Sequence, residues 1–171
     1  ALGVVFVVRE LRTLYPMLNL GVFKNPRFSA GVLAVSLASF ALFGTMFSFT
    51  QFLQFVQGFT PLEAGLRLIP ISLGIMIGAG FADLLVKRFG TNRIVATGLA
   101  ILSAFLVSFG LWDPGTTYWI VGVSFFCMAF ALGLVMAPAT DAVMGAVPEV
   151  KAGVGTAMNT VSRMVAGALG A

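Results

Sequence analysis

The chain has no histidine, a single cysteine and little charge, with only 9% of its residues Asp, Glu, Lys or Arg. Without histidine the commonest metal ligand and the usual general base are gone, and no metal site is expected. Cys127 stands alone inside an apolar run, which excludes a disulfide framework. An ordinary soluble domain carries roughly 25% charged residues, so the scarcity of charge argues against water as the solvent. No clustered acids and no nucleophile motif are present, which leaves an intramembrane enzyme without machinery.

Apolar residues fill the space that charge vacates. Hydrophobic side chains make up 59% of the chain and the mean hydropathy is +1.03. A soluble fold of 171 residues cannot hide that much apolar surface, so lipid must cover much of it. The net charge of +4 does not indicate nucleic acid as a partner. The basic residues sit in short clusters between apolar runs, as membrane loops do.

Five apolar runs are long enough to cross a hydrocarbon core as helices, at 28–56, 66–86, 94–112, 118–139 and 152–171. Residues 1–8 read as the end of a further helix, and both ends of the chain look cut. No ten-residue alternation argues for a β-barrel. The connections carry helix punctuation. Asn25-Pro26-Arg27 precedes the first span. Thr60, Pro61 and Glu63 suit an N-cap, a first turn and the positive end of a helix dipole. Lys87 and Arg88 end the second span, and Gly90 suits a left-handed cap. "WDPGTT" is a tight turn flanked by Trp112 and Trp119 as interface anchors.

Orientation follows from counting basic residues by side. Arg9, Arg12, Lys24, Arg27, Lys87, Arg88, Arg93 and Lys151 fall on one side, and only Arg67 on the other. The first side is therefore predicted to be cytoplasmic. "PLEAGL" opens the second span and "PEVKAGV" the fifth, which enter from opposite faces. Two such starts three spans apart fit inverted three-helix repeats, or else two ordinary Pro/Glu helix starts.

"QFLQFVQGFTPLEAGLRLIP" (51–70) resembles the loop that opens the C-terminal half of the 14-helix drug:proton antiporters of the major facilitator superfamily. "LVMAPATDAVMGAVPEVKAGVGTAMNTVSRMVAGALG" (134–170) resembles the stretch between the fourth and fifth helices of that half. The resemblance implies an all-α membrane protein with a major facilitator-type C-terminal bundle. Residues 1–8 would end a linking transmembrane helix and 9–27 would be a cytoplasmic connector. Residues 28–171 would form an incomplete six-helix bundle with five spans present. It further implies a multi-pass transporter in the cell membrane that exports drug-like organic compounds. The proton would be the coupling ion, with no other cofactor. Its partners would be membrane lipid, a small organic substrate and the N-terminal half of the same transporter. "KRFGTNR" resembles the second copy of the superfamily's cytoplasmic loop motif through Arg88, Gly90 and Arg93. It departs from that motif by placing Lys87 at the Asp position and Asp83 at the first Gly position.

Several residues stand out as candidate sites, each with two readings. Asp83 near a helix C-terminus needs a partner. Either Lys87 at i+4 supplies it, or a neighbouring helix does, as a latch made in one transport state. Phe40, Phe43, Phe47, Gln51 and Gln54 share one helical face. They line a pocket for bulky ligands, or they face lipid and the outer headgroups. Gly153, Gly155, Ala157, Ser162, Ala166, Gly167 and Gly170 form a small-residue face for tight packing or for a rocking interface. Asp141 follows Pro138 near the cytoplasmic end and is either a proton site or wetted at the interface. Arg163 lies about 18 Å into a core of about 30 Å if its helix starts near Lys151. A charge there costs at least about 2.5 kcal/mol. It snorkels, or it faces the cavity between halves with Asn159 one turn away, binding an anionic or carbonyl-bearing group. By the same resemblance an arginine belongs at this point, although the family's Asn-Asp pair reads Asn159-Thr160 here. Inward polar residues on several spans favour a transporter over a scaffold, and export of one metabolite, lipid or peptide is the alternative on the same fold.

Overall fold

The computed structural model describes residues 24–110, 118–147 and 152–171. These form α1 (Pro26–Gln51), which continues into one π-helical turn (Phe52–Val56), then α2 (Pro61–Leu66), α3 (Ile69–Phe89), α4 (Thr91–Phe109), α5 (Tyr118–Gly145) and α6 (Ala152–Gly170). Among the described residues the fold is all-α. The 1–8 stump, most of the connector, Trp112 with its turn, and the start of "PEVKAGV" with Lys151 lie outside them.

Local chemistry sets the helix ends. The Asn25 side chain accepts a hydrogen bond from the Arg27 amide at 3.0 Å, and Pro26 fills the first turn. Thr60 and Glu63 form a reciprocal capping box. The Thr60 amide donates to Glu63 Oε2 at 2.9 Å, and the Glu63 amide donates to Thr60 Oγ1 at 3.4 Å. The α3–α4 corner is Gly90 alone, at φ 83° and ψ 150°. The positive φ was expected. The extended ψ was not, and it falls in a region open almost only to glycine.

Two spans differ from expectation. Arg67 and Leu68 interrupt the second, leaving the short α2 before α3, with Pro70 in the first turn of α3. Pro138 does not end the fourth, because α5 runs on to Gly145. Among the described residues, four helical stretches are long and apolar enough to cross a membrane: Pro26–Phe55, Pro61–Phe89, Thr91–Phe109 and Trp119–Gly145. The fifth expected span, α6, is a 19-residue helix outside that set. Asn159, Thr160, Ser162 and Arg163 lower its apolarity.

Contacts along the helices give their directions. Gly74 lies against Phe126 and Ala129, and Gly78 against Phe130, so α3 and α5 run parallel. Phe28 and Val32 share a cluster with Met158, while Gly44 meets Gly170, so α1 and α6 also run parallel. Gly31 meets Val143 and Phe49 meets Phe125, so α1 and α5 are antiparallel. Gly98 meets Val135 and Phe105 meets Phe125, so α4 opposes α5 as well. Successive spans therefore cross in alternating directions. The starts of α1 and α4 and the ends of α3 and α5 gather at one end, together with Lys24, Arg27, Lys87, Arg88 and Arg93. Arg67 lies at the other end.

The two parallel pairs are built alike. In one, a Cβ on Gly170 of α6 would meet the Phe40 carbonyl of α1; in the other, a Cβ on Gly78 of α3 would meet the Phe130 carbonyl of α5. Each pairs the first helix of one triplet with the second helix of the other. Inverted three-helix repeats produce this relation, and it supports the repeat reading of the sequence. The central helix is α5, half buried, against 22% for the α3 and α4 spans. Its Phe125, Met128, Leu132 and Val135 pack in one core with Val35, Ala38, Phe49 and Leu102.

Candidate functional site

The seam between α1 and α6 brings predicted residues from two helices together. Gly167 is buried, and the Phe43 ring lies directly on it: a Cβ there would stand 2.8 Å from Phe43 Cδ2. Arg163 lies one turn earlier on α6 and is exposed. The seam thus carries a half-exposed aromatic ring on α1 and, one turn along α6 from the glycine beneath it, an exposed arginine. Phe40 and Phe47 flank Phe43 on α1 and are likewise about half exposed.

The structure separates Asn159 from Arg163. Asn159 is only 8% exposed, and its Oδ1 has no hydrogen-bond partner among the described residues. It lies inside the bundle, whereas Arg163 faces out. Ser39 and Thr45 of α1 are buried with unpartnered hydroxyl oxygens too. Sequence reasoning passed over both, because a lone Ser or Thr in an apolar helix often bonds its own backbone, as Thr50 does to the Met46 carbonyl at 2.8 Å.

Gln51 is exposed at the C-terminal end of α1, and Gln54 lies partly buried inside the π turn. A π turn advances fewer degrees per residue than an α turn. Gln54 is therefore rotated off the face on which α-helical spacing places it. Such turns are frequent at functional sites.

At the end where the basic residues gather, a groove of about 1300 Å³ opens between α1, α3, α4 and α5. Asp83, Gly90 and Arg93 of the loop motif line it, with Asp141, Pro138 and Arg27. Two separate sequence candidates, the motif and Asp141, thus share one wall. Lys87 and Arg88 do not line the groove; both are exposed, and the Arg88 guanidinium lies 5.4 Å from the Phe89 ring centre. At the opposite end the Arg67 guanidinium sits 3.5 Å over the Phe59 ring and donates to the Glu63 carbonyl at 3.3 Å. Below it Phe49 and Phe105 pack against Phe125, with ring centres 3.9 and 5.2 Å away.

Comparison with known proteins adds to this geometry. Residues 8–171 match the family model of the Major Facilitator Superfamily. The chain is 28% identical over 165 residues to the tetracenomycin C resistance and export protein of Streptomyces glaucescens, covering 96% of this chain and 31% of that protein. It is 31% identical over 157 residues to the multidrug efflux pump LfrA of Mycolicibacterium smegmatis, covering 92% and 31%. It is 28% identical over 165 residues to the multidrug resistance protein Stp of Mycobacterium tuberculosis, covering 96% and 30%. The chain spans about a third of the length of these curated relatives.

Proposed function

The chain belongs to the Major Facilitator Superfamily, a transporter family rather than an enzyme family, and on that premise we propose that the full-length protein exports drug-like organic compounds across the cell membrane. This chain contributes five helices of one bundle. Alternating access needs two bundles rocking about a shared midplane site, so the N-terminal half of the same transporter is the required partner. The proton is the coupling ion in this reading.

The observation that carries the proposal is the packing of the Phe43 ring on Gly167, with Arg163 exposed one turn earlier on the same helix. An aromatic face takes the flat, apolar body of a ligand. The guanidinium takes an anionic or carbonyl-bearing group with directed hydrogen bonds. The likeness to efflux and resistance proteins supports the same direction of transport. Asp83 and Asp141 are both exposed and line the groove at the basic end of the bundle.

A second reading, export of a single metabolite, draws on the relative named for one compound. Resistance profiles separate the two. Cells making the full-length protein should tolerate several unrelated compounds, and Arg163→Ala should remove or redirect that tolerance at unchanged membrane levels. Resistance confined to one compound favours the second reading. No resistance to any compound contradicts both.

A further inference from the structure

Gly167 differs from the other glycines of the α1–α6 seam in what faces it. A Cβ on Gly170 would meet the Phe40 carbonyl oxygen at 2.5 Å, and a Cβ on Gly44 would meet the Gly170 carbonyl oxygen at 2.5 Å. Main chain cannot step aside without moving a helix. The three atoms nearest to a Cβ on Gly167 all belong to the Phe43 ring, Cδ2 at 2.8 Å and Cε2 and Cγ at 3.1 Å. That ring is 50% exposed, so one side rests on the glycine and the other is open. Carbon atoms in ordinary contact stand about 3.5–4.0 Å apart. A methyl group at 167 therefore pushes the ring outward by about 1 Å and leaves the helices in place.

We propose that Gly167 is a specificity-determining positioning residue. It seats the Phe43 ring flush against α6, one turn beyond Arg163, and so sets the width of the surface open to substrate. The proposal rests on the export reading above. Its selectivity has a direction: the seat keeps room for wide polycyclic compounds, and filling it narrows that room while sparing small ones.

The test is a double-mutant cycle in the full-length protein, read as resistance to ethidium, a wide aromatic cation, and to methyl viologen, a smaller one. Gly167→Ala should lower ethidium resistance by roughly fivefold or more, a magnitude typical of one methyl group in a binding pocket. Methyl viologen resistance should change by less than about twofold, and the amount of protein in the membrane should be unchanged. In a Phe43→Ala background, where no ring remains to be displaced, Gly167→Ala should be silent. An equal effect of Gly167→Ala with and without the ring overturns the proposal. So does a loss of membrane protein like that expected for Gly170→Ala, because the backbone would then be absorbing the overlap. If Phe43→Ala alters the ratio of the two resistances but Gly167→Ala does not, the seat fails and the pocket stands. If Phe43→Ala alters neither resistance, the pocket fails and the seat falls with it.

Discussion

The carbonyl oxygen of Gly170 stands 2.5 Å from the point where a Cβ on Gly44 would lie, so α1 and α6 touch backbone to backbone. Such closeness is how helices associate in lipid, where packing replaces the hydrophobic effect. Gly44→Ala or Gly170→Ala must separate the helices, at about 1–3 kcal/mol by the usual cost of overpacking. The folded fraction in mild detergent should fall and the melting temperature should drop by several degrees. Gly80→Ala meets nothing within 4 Å and should leave both unchanged. Equal behaviour of all three variants would contradict the seam.

The second prediction concerns sidedness. Basic residues gather at the end that holds the α3–α4 corner, and that end should face the cytoplasm. Cys127 is exposed and must first be removed, as Cys127→Ser. In that background single cysteines are placed at Glu63 and Thr91. An impermeant thiol reagent added outside should label only the cysteine at 63; the reverse pattern would invert the topology.

Much of this fold was legible because lipid imposes a simple rule. Long apolar runs, Pro26, the Thr60–Glu63 cap and Gly90 each mark a helix end through local chemistry alone. The π turn at 52–56 and the break at Arg67 and Leu68 left no such mark, since each depends on how α1 and α3 meet the other helices. Passage through Pro138 was hidden for the same reason: α5 continues to Gly145 packed against α1, α3 and α4, neighbours that local rules do not see. The candidate site was half legible. Phe43 and Arg163 stood out by type and spacing, but the seating of Phe43 on Gly167 is a contact between helices distant in sequence. The shared groove of Asp83 and Asp141 is likewise a product of packing.

The third prediction separates charge from geometry at Arg163. Arg163→Ala should abolish or redirect export. Arg163→Lys should restore it only in part, because lysine keeps the charge and loses the planar fork. Efflux of a panel of compounds at matched protein levels checks this. Full activity of Arg163→Ala would remove the residue from the site.

The fourth concerns the outer part of α1. Phe47→Ala and Gln51→Ala should change the relative resistance to different compounds without lowering membrane levels. A uniform loss across all compounds would place these residues outside the pocket.

The proposal of proton-coupled export by the full-length protein is tested most directly by energised transport. Everted membrane vesicles carrying the full-length protein, made acidic inside by respiration, should accumulate ethidium. Collapse of the proton gradient should abolish that accumulation, and vesicles carrying only residues 1–171 should show none. Accumulation that survives collapse of the gradient, or saturable uptake by the 171-residue chain alone, would contradict the account.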